Sequence, residues 1–286
     1  MLNNIFTIYN GVIMTGHTIR NPEVSGTFYP SNGKELKNMI MHLLNGVHPD
    51  INFKKIIGVI VPHAGYVYSG KTAAYSYSIL MKSSARKFII VGPNHRTFPF
   101  YAAVSTTGYW RTPLGDARID EDLANSIVSE GDIFADDPTV HENEHSVEVQ
   151  IPFLQYIFQD DFSFVPIILG EQEEKRAIAV SKALKPYLDD TVLIASSDLT
   201  HYEPKGVAES KDSKLIEDVL SLDTEKFYET LKARRISACG YGAIAILMEL
   251  TKSLGGNIKL LNYSTSFDYS KDDSFVVGYS SFVSYL

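Results

Sequence analysis

Three histidine-bearing loops follow directly on short, β-branched apolar runs. Residues 56–61 lead into Pro62-His63-Ala64-Gly65-Tyr66, and residues 88–91 into Gly92-Pro93-Asn94-His95-Arg96. Residues 192–195 lead into Ser196-Ser197-Asp198-Leu199-Thr200-His201. Imidazole is a common metal ligand and the side chain whose ordinary pKa lies nearest neutrality, so these loops could bind a metal or move protons. A single histidine behind a strand is usually a plain loop residue. Three loops with the same placement argue for one shared site, because ligands of open α/β sheets bind beyond the carboxyl ends of the strands.

A lone thiol joins the list. Cys239 lies in Ala238-Cys239-Gly240-Tyr241-Gly242, just before an apolar helical run. The positive end of a helix favours thiolate, the form that binds metal or attacks as a nucleophile. The competing reading is a small buried apolar residue. The glycines beside it suit a backbone that must pass close to something. His141 and His145 stand four apart, as do Glu144 and Glu148, and the spacing invites a zinc reading. The order is not His-Glu-x-x-His, however, and acids at a helix N-terminus explain the segment more simply. No P-loop, dinucleotide fingerprint or Gly-x-Ser-x-Gly elbow is present.

The elements that must position these residues read as an α/β alternation. Buried strands are predicted at 56–61, 88–91, 164–169 and 192–195. Helices are predicted at 69–81, 121–129, 145–158, 173–188, 207–220, 224–233 and 240–253, with Pro152 marking a kink in the third. Two last strands, near 258–267 and 275–284, read as an antiparallel pair at an edge. The fold class is a single α/β domain, a mostly parallel mixed sheet with helices on both faces. It spans residues 18–286 behind an N-terminal extension, 1–17, within which Met14 is a candidate natural start.

Bulk properties narrow the classes. The 286 residues are 44% hydrophobic and 21% charged, the balance of a globular protein. A formal net charge of −8 argues against nucleic acid as partner. One cysteine cannot form an internal disulfide. The first eighteen residues contain Asn3, Asn4 and Asn10 and no basic residue, which does not suit a secretory signal. No run of about twenty apolar residues suggests a membrane span. The expected location is the cytoplasm.

Several motifs in order resemble the Memo family: Arg20-Asn21-Pro22, Gly26-Thr27-Phe28-Tyr29-Pro30 and Val61-Pro62-His63-Ala64-Gly65-Tyr66-Val67-Tyr68-Ser69-Gly70 near the start. Gly92-Pro93-Asn94-His95, Thr112-Pro113-Leu114-Gly115, Glu144-His145-Ser146-Val147-Glu148, Ser196-Ser197-Asp198-Leu199-Thr200-His201 and Cys239-Gly240-Tyr241-Gly242 continue it. That family is similar to the class III extradiol dioxygenases (LigB-like), whose non-haem Fe(II) is held by two histidines and a glutamate. The resemblance implies His63 and His95 as metal ligands, with Cys239 where the carboxylate would stand. It implies His201 as acid–base catalyst with Asp198 beside it, and His145 in the pocket. Tyr66, Asn94, Arg96, Ser197 and Tyr241 are expected in the pocket or directly behind it.

Thiolate in place of carboxylate suits zinc, copper or a redox-active iron. The leading expectation is therefore a metal-dependent redox enzyme of unknown substrate, with Fe(II) favoured and copper or zinc as alternatives. A second is a binding module with a vestigial pocket, the histidines and Arg96 holding a phosphate or a peptide. A third is a zinc hydrolase with His201 as base to a metal-activated water. The resemblance also implies association with an AMMECR1-like protein and a radical-SAM protein.

Overall fold

Val, Ile and Leu dominate four strands that are buried almost end to end, as strands covered on both faces must be. In this computed structural model residues 18–96 and 101–286 are described in full. Of the rest, only the backbone of a small antiparallel hairpin, Thr7–Tyr9 with Val12–Met14, is described. The expected extension, residues 1–17, with its candidate start at Met14, otherwise lies outside the described residues.

Nine strands form the main sheet. In chain order they are β1 (Ile56–Val61), β2 (Lys87–Pro93), β3 (Ala102–Val104), β4 (Phe134–Asp136), β5 (Ser163–Leu169), β6 (Thr191–Ser196), β7 (His201–Glu203), β8 (Asn257–Thr265) and β9 (Val276–Tyr285). Their spatial order is β7-β9-β1-β6-β2-β5-β3-β4, and β8 also pairs with β9. The centre, β1-β6-β2-β5, is parallel throughout. Register brings the ends of these strands level: Ser196 pairs with Val61, and Ala195 with Val91. The loops carrying His63, His95 and Asp198 therefore leave the sheet side by side.

Helices α1 (Gly33–Leu44), α2 (Tyr66–Leu80) and α4 (Ile151–Phe158) pack together as one layer, with α3 (Glu121–Val128) beside β4 and β5. α5 (Glu174–Leu184), α6 (Lys205–Ser221), α7 (Thr224–Arg234) and α8 (Tyr241–Ser253) form the other. α8 presses closely on β1: a Cβ added at Gly58 would stand 2.6 Å from Leu247 and 2.5 Å from the Leu193 carbonyl. No helix among the described residues is long and apolar enough to cross a membrane.

Three expectations need correction. The helix expected to open at His145 starts at Ile151. Pro152 sits in its first turn, where a missing N–H costs nothing, and so begins the helix and does not kink it. The N–H groups of His145 and Ser146 are instead taken by the Glu144 carboxylate at 2.8 Å each. The last two strands do pair antiparallel, but β9 lies inside the sheet between β1 and β8. The remaining strands are too short to show a period, whereas α1 was missed although Leu36, Met39, Ile40, Leu43 and Leu44 lie on one helical face behind an Asn32 cap.

Candidate metal centre

His63 stands two residues past the end of β1 and three before α2. Its backbone N–H donates to Asp198 Oδ1 at 2.9 Å. Hydrogen-bond bookkeeping fixes its tautomer. The Ser196 hydroxyl donates its one proton to the Ser146 carbonyl at 2.6 Å and accepts from Gln150 Nε2 at 2.9 Å. Its 2.8 Å contact with His63 Nδ1 must therefore take the imidazole N–H. The lone pair is left on Nε2, which lies 3.1 Å from Cys239 Sγ. Burial, and then the imidazoles of His145, His95 and His201, hold this pKa well below the usual histidine value. His63 is neutral, the form that binds metal.

His95 is fixed by a carboxylate. Glu144 accepts its Nδ1–H at 2.9 Å and its backbone N–H at 2.5 Å. Burial pushes the Glu144 carboxyl up, but the bonds and charge of His95 and the charge of His145 outweigh it and hold it at about 2. A carboxylate only accepts, so the free lone pair of His95 is again on Nε2. His145 stacks on His95 with ring centroids 4.6 Å apart. Burial lowers His145 to about 4 against the opposing pull of Glu144.

The loop carrying Glu144 is tied to the start of the chain. Arg20 donates to Glu148 Oε2 at 2.6 Å and to the carbonyls of His141 and Glu144 at 2.7 Å each, with its guanidinium 4.2 Å over Trp110. Glu148 also accepts from the N–H groups of Glu23 and Val24 and from the Tyr29 hydroxyl. Phe28, from the same segment, reaches the site and lies 4.8 Å from the His145 ring.

Cys239 stands two residues before α8. Its sulfur accepts the Asp198 N–H at 3.3 Å and opens onto the cavity. The passage is tight: a Cβ at Gly240 would come within 2.2 Å of the Ser196 carbonyl. Contrary to the helix-dipole expectation, burial and then the Asp198 carboxylate push the thiol up from its usual range. The bare thiol is protonated and faces the His63 lone pair. A cation reverses this balance by displacing the proton.

One ligand atom each from His63, His95 and Cys239 lie within 4.8 Å of one another. Asp198, His201 and Cys239 form a second such group, and His95, Glu144 and His145 a third. Two imidazoles whose Nδ1 is spent on a hydrogen bond, beside a sulfur, fit a metal. His63 Nε2 and Cys239 Sγ, 3.1 Å apart, are close enough that both could bind one ion. His201 donates Nδ1–H to the Ser237 carbonyl at 2.9 Å, which leaves its Nε2 as a base. That carbonyl, and not Asp198, sets its tautomer. Asp198 is buried beside it and raised to about 6 by burial, against the pull of His201 and the N–H groups of His63 and Ala64.

These groups line a cavity of about 730 Å³. Of the residues expected in the pocket or directly behind it, Tyr66, Asn94, Arg96, Ser197 and Tyr241 are not among those lining the cavity. Tyr66 is buried, donating to the Val149 carbonyl at 2.7 Å, and Tyr241 lies against Tyr228. Asn94 is buried and accepts the Arg96 N–H; Arg96 is exposed, near enough for its charge to act on His145. The Ser197 hydroxyl accepts the Gly240 N–H at 2.9 Å and so steadies the cysteine loop from behind. The tyrosines lining the cavity are Tyr68, Tyr202 and Tyr279. The His141–His145 pairing that the spacing invited, and the sequence reading set aside, is not among the metal-competent groups described: His141 is buried against Trp110.

The family model described as Memo-like protein matches residues 20–283. The chain belongs to the Memo family. MEMO1 family proteins of Thermoplasma volcanium and Thermoplasma acidophilum are 48% and 47% identical to it over 268 residues, 93% of this chain and 98% and 99% of theirs. One from Nitrosopumilus maritimus is 43% identical, over 91% of this chain and 98% of its own. Among solved structures, an uncharacterized protein from Escherichia coli K12 aligns with a TM-score of 0.53 and 14% identity, covering 81% of this chain and 100% of that one. At that identity the likeness speaks to the fold alone.

Residue-type reasoning missed the groups that hold the ligands: Glu144 behind His95, Ser196 behind His63, and the Arg20–Glu148 tie. A signal for Glu144 and Glu148 lay in Glu144-His145-Ser146-Val147-Glu148, where two acids flank a histidine. Arg20 could not have been paired with Glu148 across 128 positions by spacing alone.

Proposed function

We propose that this Memo-family chain is a metal-dependent redox enzyme in which His63, His95 and Cys239 hold one ion, Fe(II) ahead of copper or zinc. The observation that carries this is the meeting of one ring nitrogen each of His63 and His95 and one thiol within 4.8 Å at the wall of the cavity. Three protein ligands leave a coordination position open, and the metal would supply there the binding and activation of O₂ or of an oxidisable substrate.

The chain's own residues do the rest. Ser196 and Glu144 hold the two imidazoles in the ligating tautomer. His201, its Nδ1–H spent on the Ser237 carbonyl, accepts or returns a proton at Nε2. Asp198 anchors the His63 backbone and places a carboxyl beside His201. The aromatic side chains of the outer cavity exclude water from bound substrate.

Elemental analysis of protein purified without oxygen tests the reading. One ion per chain is expected in the parent, with loss in both His63→Ala and Cys239→Ser. Full metal in both variants would remove the site. O₂ consumption by the iron-loaded parent separates turnover from a mere binding role. Peptide binding that survives chelation, with no O₂ consumed, would favour the binding module instead.

A further inference from the structure

The cavity has two ends of different chemistry. Its inner end holds His63, Asp198 and Cys239. Its mouth is aromatic, with Tyr68, Tyr202 and Phe275 lining it at 42, 73 and 68% exposure. Tyr68 is braced by Tyr269 at 5.1 Å between ring centroids, whereas Tyr202 and Phe275 stand out into solvent. Among the described residues lining the cavity none is lysine or arginine, and Asp272 adds negative charge at the mouth.

Tyr202 has the least local reason to be where it is. It follows His201 in β7, where the register against β9 is broken, and its φ is +55°. Glycine and asparagine adopt that left-handed region readily; a bulky aromatic does not. The ring recovers little from the fold, since it is largely exposed and meets the His201 ring edge-on at 5.7 Å. A bulge re-aims a side chain, and strained backbone gathers where function needs it. Here it sends an aromatic ring to the cavity mouth, four residues from Asp198. Phe275, from the connection between β8 and β9, is also offered to solvent at that mouth.

We propose that Tyr202 and Phe275 form an aromatic clamp that selects the ligand of this cavity, a planar aromatic compound whose polar head carries no negative charge. The ring lies against the clamp and the head points toward the histidine end. The orientation rests on the metal-site reading above, but the clamp itself does not. Tyrosine and phenylalanine suit the task because each orders only two side-chain torsions while offering a flat face.

The probes are 2-naphthol, its saturated analogue decahydro-2-naphthol, and 2-naphthol-6-sulfonate, titrated calorimetrically into metal-loaded and chelator-treated protein. The parent should bind 2-naphthol about tenfold tighter than the saturated alcohol, the scale of one or two ring contacts. The sulfonate should bind more weakly than 2-naphthol. Tyr202→Asn and Phe275→Ala should each weaken 2-naphthol by roughly fivefold, and Tyr202→Phe should match the parent. Asparagine accepts the left-handed backbone, so Tyr202→Asn should unfold at no lower temperature than the parent. The planar preference should persist after chelation, because the rings make it; loss of metal in the parent therefore tests the metal site and not the clamp. No measurable binding, equal affinity for planar and saturated alcohols, undiminished binding of the sulfonate, or unchanged affinity in Tyr202→Asn and Phe275→Ala would each overturn the proposal.

Discussion

Replacing Arg20 by methionine should unfasten the loop that supports His95, and its cost can be worked from the contacts. The Arg20 and Glu148 side chains are 9% and 1% exposed, so the pair is out of water. Methionine keeps much of the stem against Trp110 but leaves the Glu148 carboxylate without its counter-charge, and takes the Arg20 donors from the carbonyls of His141 and Glu144. Removing one partner of a buried pair costs roughly 3–5 kcal/mol, mostly the penalty on the charge left behind. The Glu23 and Val24 N–H groups and the Tyr29 hydroxyl still solvate Glu148, which places the expected loss at the lower end, about 3 kcal/mol. Because the two residues share one network, Arg20→Met with Glu148→Gln should cost about 2 kcal/mol less than the sum of the singles. Urea unfolding at pH 7 across the double-mutant cycle measures this. The exposed Arg86–Asp161 pair, 44% and 80% accessible, is the control and should show no measurable loss. Additive singles, or an Arg20→Met loss as small as the control's, would refute the reasoning.

Glu144→Gln keeps the shape but removes the charge that fixes His95, and titration with zinc should show affinity lower by roughly 10- to 100-fold; unchanged affinity would show that the carboxylate does not orient the ligand. Gly240→Ala must move the cysteine loop, since its Cβ would meet the Ser196 carbonyl at 2.2 Å and Ser197 Cβ at 2.7 Å; metal content should fall even though Cys239 is intact, and full occupancy would contradict the close approach. Burial, with the Arg20 charge second, lowers His141 from 6.5 to about 3 in the folded chain. The unfolded chain thus takes a proton that the folded one refuses. The stability is whole above pH 6.5 and falls as pH drops toward 3, by about 1.4 kcal/mol per unit. His141→Phe removes that component, so the parent's stability relative to the variant should decline between pH 6.5 and 4; a gap independent of pH would contradict it.

The parallel centre of the sheet was legible because buried parallel strands are continuous apolar runs, and β1, β2, β5 and β6 are that. So was the convergence of the loops carrying His63, His95 and His201, which rests on the rule that ligands gather past strand ends. The place of Cys239 came from the family resemblance; its neighbouring glycines suited a close backbone passage, which the structure shows against Ser196 and Gln172. What stayed hidden depends on long-range pairing. Glu144 looked like an acid at a helix N-terminus because the helix start was placed at His145, and beside the local N–H groups of His145 and Ser146 its carboxylate takes the distant backbone and ring of His95. Tyr66 and Tyr241 looked like pocket residues because they neighbour His63 and Cys239 in sequence. Helix geometry carries Tyr66 into the core against Phe153 and sets Tyr241 beside Tyr228, while Tyr68 reaches the mouth. The left-handed backbone of Tyr202 leaves no trace in residue type at all.

X-ray absorption at the metal edge tests the central claim most directly. The parent should show one sulfur near about 2.3 Å and imidazole scattering from two histidines, with the sulfur shell lost in Cys239→Ser. A first shell of nitrogen and oxygen alone in the parent, unchanged by that substitution, would contradict it.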